Sequence, residues 1–326
     1  MLTVMSGCAY SADHRSVRTA YYDTPVTWSS NNEFVLFSRT NETTNSSALL
    51  ERHPLSNTTN KIGVVTRTGF IGATISPNGE IIIVSIDHAI DAALGSLYQC
   101  TIPCRKPQLF FRAHGAINDD ELPRFSHDGK RIALIRNGNT LVVASLSGNV
   151  VFSKRLPLGV MASGVRWGEY DREIAVMNAV GQPIAVIAQL RQVGGERSSV
   201  VSWRSMRCPD PTVAIPDTTS TLTSYVYEST KDKHGRVPNT SGYDYSPEIY
   251  LWEIGAGAPK RLTFTKTSET SPILSDDGHW LAYRESGQTT RIVVRKLGLA
   301  GGHQSARPPT PGRKTIESAA KAVGRG

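Results

Sequence analysis

A nucleophilic serine needs a sharp strand-to-helix turn, usually Gly-x-Ser-x-Gly, and that pentapeptide does not occur in the sequence. Ser163, in Met161-Ala162-Ser163-Gly164, has its glycine in the wrong place and reads as the entry to a strand. Neither Gly-x-Gly-x-x-Gly nor a phosphate loop ending in Gly-Lys-Ser/Thr is present. Gly255-Ala256-Gly257 is half of a dinucleotide motif without the helix that must follow, so it reads as a hairpin loop. Cys100 and Cys104 are four positions apart, but Cys208 and the eight histidines supply no second pair at zinc-ligand spacing. In an oxidising compartment the two cysteines could close a disulfide across a strand end, and unpaired small-residue packing is equally consistent. His127 and His279 fall in turns and read as solvent-facing. The acids Asp119-Asp120-Glu121 could draw cations to a loop, against the simpler reading of a solvated acidic segment. In Asp276-Asp277 the second residue is better explained by a turn. The expectation is therefore no catalytic residue, no bound cofactor and no metal.

The formal net charge is +8 and the pI near 9.4. Half of that charge lies beyond Gly301, where Arg307, Arg313, Lys314, Lys321 and Arg325 face a single acid, Glu317. Residues 299–326 lack β patterning and read as a flexible basic tail. Elsewhere basic residues are interspersed with acids and are not interleaved with aromatics, so nucleic acid is not expected as a partner. Asn41-Glu42-Thr43, Asn45-Ser46-Ser47, Asn57-Thr58-Thr59 and Asn239-Thr240-Ser241 match the glycosylation triplet and read as polar loop composition. The long loops 40–47 and 229–246 are where a rigid scaffold would carry binding residues.

No apolar stretch approaches the eighteen or so residues of a membrane helix. Val4-Met5-Ser6-Gly7-Cys8 resembles a bacterial lipobox, which would make Cys8 a lipidation site and the only route to a membrane. The basic n-region is missing and the apolar run is short, so either the segment is a signal remnant or the likeness is accidental. The first reading implies a periplasmic or lipid-anchored protein. A genuine start at Met1 implies a cytoplasmic one.

The strongest pattern is an internal repeat. Ile75-Ser76-Pro77-Asn78-Gly79-Glu80, Phe125-Ser126-His127-Asp128-Gly129-Lys130 and Leu274-Ser275-Asp276-Asp277-Gly278-His279 share one frame, each followed by an apolar β-rich run. Weaker copies begin at Trp28, Trp167 and Ile215, so successive anchors lie 42 to 59 residues apart. Asn-Gly and Asp-Gly supply the left-handed backbone of a tight strand reversal, which gives Pro77, Asn78, Gly79, Asp128, Gly129, Asp277 and Gly278 structural roles. Runs such as Ile81–Val84 and Ile132–Ile135 do not alternate, as befits strands covered on both faces. One copy spells out four strands: 124–126, 130–135, 140–145 and 150–154, with Asx/Gly turns between. Six such units predict an all-β, six-bladed β-propeller of four-stranded antiparallel blades over residues 25–298. Residues 1–24 then form an N-terminal segment. The last copy supplies three strands, so Val17–Tyr22 is expected to close the ring, and Asp87–Gly95 is the best helical candidate.

Ser-Pro-Asn-Gly with its isoleucine run, and Ser-Asp-Asp-Gly with Trp-Leu-Ala-Tyr, resemble the WD40-like repeat of TolB-type propellers. The resemblance covers nearly the whole chain but includes neither the extra α/β domain of TolB proper nor the hydrolase domain of propeller peptidases. It implies a non-catalytic protein-interaction platform of the bacterial cell envelope, with peptidoglycan-associated lipoproteins or similar proteins as partners. The alternative is a propeller enzyme, a lyase or hydrolase of sugar polymers or lactones, with His, Asp or Glu gathered at the channel.

Overall fold

The computed structural model describes residues 21–297, apart from 42, 45, 67–69, 87–95, 112–119, 180, 194–196, 211–212, 230–246, 266 and 288–289. Cys8, the candidate helix 87–95 and the basic tail all lie outside the described residues.

The strands form six antiparallel sheets arranged as a six-bladed β-propeller. Blade 1 is β1 (Tyr21–Trp28), β2 (Val35–Asn41), β3 (Ser46–Arg52) and β4 (Thr59–Thr66). Blade 2 is β5 (Phe70–Ile75), β6 (Ile81–Ile86), β7 (Ser96–Thr101) and β8 (Gln108–Phe111). Blade 3 is β9 (Asp120–Phe125), β10 (Arg131–Arg136), β11 (Thr140–Ser145) and β12 (Val150–Arg155). Blade 4 is β13 (Ala162–Trp167), β14 (Glu173–Asn178), β15 (Ala185–Val193) and β16 (Arg197–Met206). Blade 5 is β17 (Val213–Thr218), β18 (Ser224–Ser229), β19 (Glu248–Glu253) and β20 (Lys260–Arg261). Blade 6 is β21 (Ser268–Leu274), β22 (Trp280–Ser286) and β23 (Thr290–Lys296). The only helical element among the described residues is a 3-10 turn, Glu169–Asp171.

Each seam between blades has its own apolar cluster, which is why the middle strands bury both faces. Leu36 and Leu49 meet Ile75 and Ile82 between blades 1 and 2. Ile83 and Leu97 meet Ile132 and Leu134 between blades 2 and 3. Ala133 and Leu141 meet Trp167 and Ile174 at the next seam, Met177 and Ile187 meet Val213 and Tyr225 at the fourth, and Val226 and Ile249 meet Leu274 and Leu281 at the fifth. Each fully buried Leu or Ile contributes about 1.5–3 kcal/mol that an isolated blade could not collect.

The sixth seam closes the ring. Trp28 and Val35 pack on Ile273 and Ala282, Trp28 Nε1 donates to Ile273 O at 3.2 Å, and Arg52 Nη1 donates to Ile292 O at 2.8 Å. Tyr21 and Tyr22 pair with Asn41 and Thr40 inside blade 1, not with blade 6. The rest of the expected closing strand lies outside the described residues, among which blade 6 has three strands and shares none with blade 1.

The repeat frame builds one hydrogen-bond pattern. Ser76 Oγ donates to Asn78 Oδ1 (2.6 Å) and accepts from Ile81 N (2.9 Å), and Asn78 Oδ1 also accepts from Glu80 N (3.2 Å). Ser126 and Asp128 do the same with Arg131 N and Lys130 N, and Ser275 and Asp277 with Trp280 N and His279 N. The fourth turn position is left-handed in all six blades. It is Gly79, Gly129 and Gly278 in the strong copies, but Asn32 (φ 59), Asp171 (φ 55) and Leu222 (φ 57) in the weak ones. A side chain there costs on the order of 1 kcal/mol. Each one reaches back onto the preceding blade. Asn32 Oδ1 accepts from Asp276 N at 3.1 Å, and Asp171 accepts from His127 N and Asp128 N at 2.8 and 3.0 Å. Leu222 packs on Gly168, where an added Cβ would lie 3.2 Å from Leu222 Cδ1. The weak copies are thus weak in sequence because they tie turn to turn around the ring.

The fifth turn is Thr219–Leu222, not the Ile215-Pro216-Asp217 frame expected from sequence. Leu222 N donates to Thr219 O at 3.0 Å, the bond that Gly79 N makes to Ser76 O. The turn carries no Asx-Gly pair to mark it, and Asp217 lies upstream of where such a pair would stand.

Candidate functional site

Two residues before each turn begins stand Thr27, Thr74, Arg124, Arg166, Asp217 and Ile273, one from each innermost strand. They form a layer about the ring axis. Arg166 is the hub. Its Nη2 donates to Asp217 Oδ2 (2.6 Å) and Leu274 O (2.9 Å), and its Nη1 donates to Asp276 Oδ1 (2.6 Å). Asp217 Oδ2 also accepts from Leu274 N at 2.9 Å. Burial opposes the Arg166 charge, but the two carboxylates outweigh it and hold its pKa above the ordinary value. Removing one partner of such a buried set would leave a charge stranded.

Arg124 sits beside this network, and among the described residues it has no carboxylate of its own. Its guanidinium there makes only long bonds to backbone oxygens, 3.4 Å to Ala73 O and 3.2 Å to Val26 O. Burial, and then the neighbouring Arg166 charge, push its pKa down to about 10, although Asp217 and Asp276 pull the other way. Its backbone is fixed by Trp167 Nε1, which donates to Arg124 O at 3.0 Å, and by Phe125 N, which donates to Thr74 Oγ1 at 3.1 Å.

The layer separates two cavities, and Arg124 lines both. The one on the turn side holds about 30 Å³ and is bordered by Thr27, Thr74, Arg166 and Asp276. The other holds about 370 Å³, within the range of ligand pockets. All six blades line it. Blade 1 gives Tyr22, Thr24, Pro25, Val26, Ser38 and Thr40; blade 2 gives Gly72 and Ala73. Leu122 and Pro123 come from blade 3, and Ser163, Gly164, Val165 and Met177 from blade 4. Pro216 and Asp217 of blade 5, with Ser271, Pro272 and Ile273 of blade 6, complete the wall.

Local sequence explains the opening. Every innermost strand breaks register with its neighbour near this level, at Pro25/Thr27, Phe70/Gly72, Ala162/Gly164, Ala214/Asp217 and Thr270/Ile273, with the blade 3 break opposite Ala133/Ile135. Bulges bend a strand and re-aim its side chains. Four prolines fit there because the free edge of an innermost strand needs no N–H. Leu122 (φ 57) and Ser271 (φ 54), each just before a proline, hold left-handed backbone at the cavity wall. Ser163 Oγ is buried there with no hydrogen-bond partner. Glu228, itself buried, accepts from Ser271 N and so braces the wall from behind; burial raises its pKa to about 7.

The residues singled out from sequence are scattered. Ser163 lies on the cavity wall without a base beside it. His127, expected to face solvent, is 22% exposed and its Nδ1 lies 2.9 Å from Asp171 Oδ1, at a seam between turns. His279 pairs with Asp277 at 3.1 Å on the outer rim of its turn. Asp276 does reach the axial network. Cys100 and Cys104 are joined by a disulfide that packs into the seam of blades 1 and 2, with Cys104 N donating to Ile62 O at 3.0 Å. Gly255–Gly257 form the exposed hairpin between β19 and β20. Asp119 lies outside the described residues, while Asp120 and Glu121 open β9. Among the described residues no group of three His, Cys, Asp or Glu is placed to hold a metal ion, and no helix is long and apolar enough to cross a membrane. Arg124, Arg166 and Asp217 escaped the sequence reading. The signal was one column of the aligned repeats, Thr-Thr-Arg-Arg-Asp-Ile, visible only once the fifth copy is shifted to Thr218.

No protein-family profile matches the chain, and no curated protein sequence does. Solved structures do. The β-propeller domain of Cps50 (Swd1) from Myceliophteria thermophila is similar at 11% identity and TM-score 0.54, over 85% of this chain and 97% of that one. A putative TolB from Agrobacterium tumefaciens matches at 11% identity and TM-score 0.52, over 78% and 85%. An oligogalacturonate lyase from Vibrio parahaemolyticus matches at 10% identity and TM-score 0.52, over 86% and 92%. At such identities the likeness speaks for the fold, which is TolB-like and WD40-like.

Proposed function

We propose that this propeller is a non-catalytic interaction platform, and that its axial cavity receives an extended segment of a protein partner. The observation that carries this reading is the lining. All six innermost strands present prolines, small aliphatic residues and hydroxyls to about 370 Å³ of space, while the two axial acids are already committed to Arg166. Carboxylates clamped by a buried guanidinium are poor general bases, whereas a rigid, mostly apolar wall pays little ordering entropy on binding. The disulfide Cys100–Cys104 favours an oxidising compartment, and with the lipobox-like segment ending at Cys8 supports a place in the cell envelope. Partners would then be envelope proteins.

The test is retention of a pooled, randomised synthetic hexapeptide library on the immobilised full chain and on Thr24→Trp, which fills the cavity. Selective retention by the unmodified chain supports the reading. Equal retention by both, or by neither, sinks it. The second reading, a lyase or hydrolase of sugar polymers, is favoured by the fold shared with an oligogalacturonate lyase. Formation of unsaturated uronides from oligogalacturonate by the unmodified chain, abolished in Asp217→Asn, would replace the platform with the enzyme.

A further inference from the structure

We propose that the axial cavity is a site for the C-terminal carboxylate of an apolar peptide, with the Arg124 guanidinium as its ion-pair partner and the Ser163 hydroxyl as a second donor. The inference rests on the platform reading and names which part of a partner the cavity selects.

Three observations carry it. First, the two axial arginines are unequal. Arg166 commits its charge to Asp217 and Asp276 at 2.6 Å each, while among the described residues Arg124 meets only backbone oxygens, at 3.2 and 3.4 Å. A cation whose acceptors are weak and neutral gains most from an anion, and a guanidinium fork fits a carboxylate with two parallel bonds. Second, Ser163 Oγ lies buried and unpartnered on the wall of the same cavity. A buried hydroxyl left without a partner is destabilising, and a bound acceptor would offset that. Third, the space along the axis narrows at the charged layer. The Arg166–Asp217–Asp276 cluster borders it there, and the cavity on the turn side holds only about 30 Å³. An extended segment that enters the larger cavity end-on brings its terminus to Arg124, which stands between the two cavities. Of the two ends of a peptide, only the C-terminus carries the charge that Arg124 lacks. The residues before that carboxylate would lie against Pro25, Pro123, Pro216, Pro272 and Ile273, which suits small apolar side chains. The hydroxyls on the same wall, Thr24, Ser38, Thr40 and Ser271 among them, leave a sugar acid as the competing occupant that the experiment separates from a peptide.

The experiment compares two pools of the same random hexapeptides, one with free C-terminal acids and one C-terminally amidated, on the immobilised full chain. Mass spectrometry of the retained peptides is the readout. The free-acid pool should be enriched over the amide pool by about 30- to 100-fold, the value of one charge-assisted bidentate contact. Arg124→Met should abolish that preference, Arg124→Lys should keep part of it, and Ser163→Ala should weaken retention by about 3- to 10-fold without abolishing the preference. Far-ultraviolet circular dichroism establishes that each variant is folded, and the lysine variant keeps the test decisive if the methionine variant is not. Equal retention of acids and amides, each blocked by Thr24→Trp, would overturn the carboxylate site and leave the platform standing. Retention of neither pool would overturn both. Arg124-dependent retention of a trigalacturonate in place of peptides would also refute the proposal, in favour of a sugar acid.

Discussion

Replacing Asp171 separates the two terms that the turn belt balances. Its carboxylate accepts from His127 N (2.8 Å), Asp128 N (3.0 Å) and His127 Nδ1 (2.9 Å), all on the neighbouring blade, while its own backbone sits at φ 55. Asp171→Ala removes all three acceptor contacts and keeps the strained backbone. Hydrogen bonds to a charged group contribute about 1.5–3 kcal/mol each, but water can reach part of this seam. The expected loss is therefore about 2–4 kcal/mol. Asp171→Gly loses the same bonds but relieves the left-handed strain, so it should be more stable than the alanine variant by about 0.5–1 kcal/mol. Asp171→Asn keeps one acceptor oxygen and tolerates the backbone, so it should lie closest to the unmodified chain. Burial pushes the Asp171 pKa up, but the His127 and Asp128 hydrogen bonds and the His127 charge outweigh it and leave it below the ordinary carboxylate value. Its contribution is then present above the unfolded pKa of about 4 and fades as pH falls through the lower folded value. The gap between the unmodified chain and Asp171→Asn should narrow over that acidic range. Urea unfolding followed by tryptophan fluorescence, with the denaturant slope unchanged, measures the series. An alanine variant within about 0.5 kcal/mol of the original, or one as stable as the glycine variant, would refute the idea that this position exchanges backbone strain for a bridge between blades.

Three further outcomes follow from the same geometry. Arg166→Met strands the buried Asp217 and the part-buried Asp276 and should cost about 3–5 kcal/mol in urea unfolding, with Arg166→Lys intermediate because an ammonium cannot span the two as the fork does. Cys100→Ser with Cys104→Ser should lower stability by about 2 kcal/mol, the value for so short a loop, and a reductant should bring the unmodified chain to the same midpoint. Glu269 is fully buried between Thr265, Thr267 and other acids; burial first, then the Glu248 and Glu285 charges, raise its pKa to about 7. A raised carboxylate is favoured while protonated, so stability should fall as pH rises from about 4.5 to 7. Glu269→Gln should flatten that slope and gain on the order of 2 kcal/mol at pH 8; an unchanged slope would show that Glu269 ionises normally.

Much of the architecture was legible in the chain because a propeller is written in local rules. A tight reversal needs a left-handed residue, so Asn78-Gly79, Asp128-Gly129 and Asp277-Gly278 stand out, and strands covered on both faces lose alternation, so Ile132–Ile135 reads as blade interior. Six units at that spacing imply a ring, since no single blade can hide both faces. The same local logic misplaced the fifth copy, where Thr219 and Leu222 stand in for Ser and Gly and Asp217 resembles a turn residue.

The site was a different matter. Arg124, Arg166, Asp217 and Asp276 lie far apart along the chain, and nothing within a strand tells an arginine that will meet two aspartates from one that will meet water. Closure decides it. Only when blade 1 packs on blade 6 does one side chain from every innermost strand converge on an axis, where two acids bind one guanidinium and leave the other without an anion. Strand, turn and repeat were set by neighbours in sequence. The charge left over at the centre was set by the ring, because it depends on distances that no local rule contains.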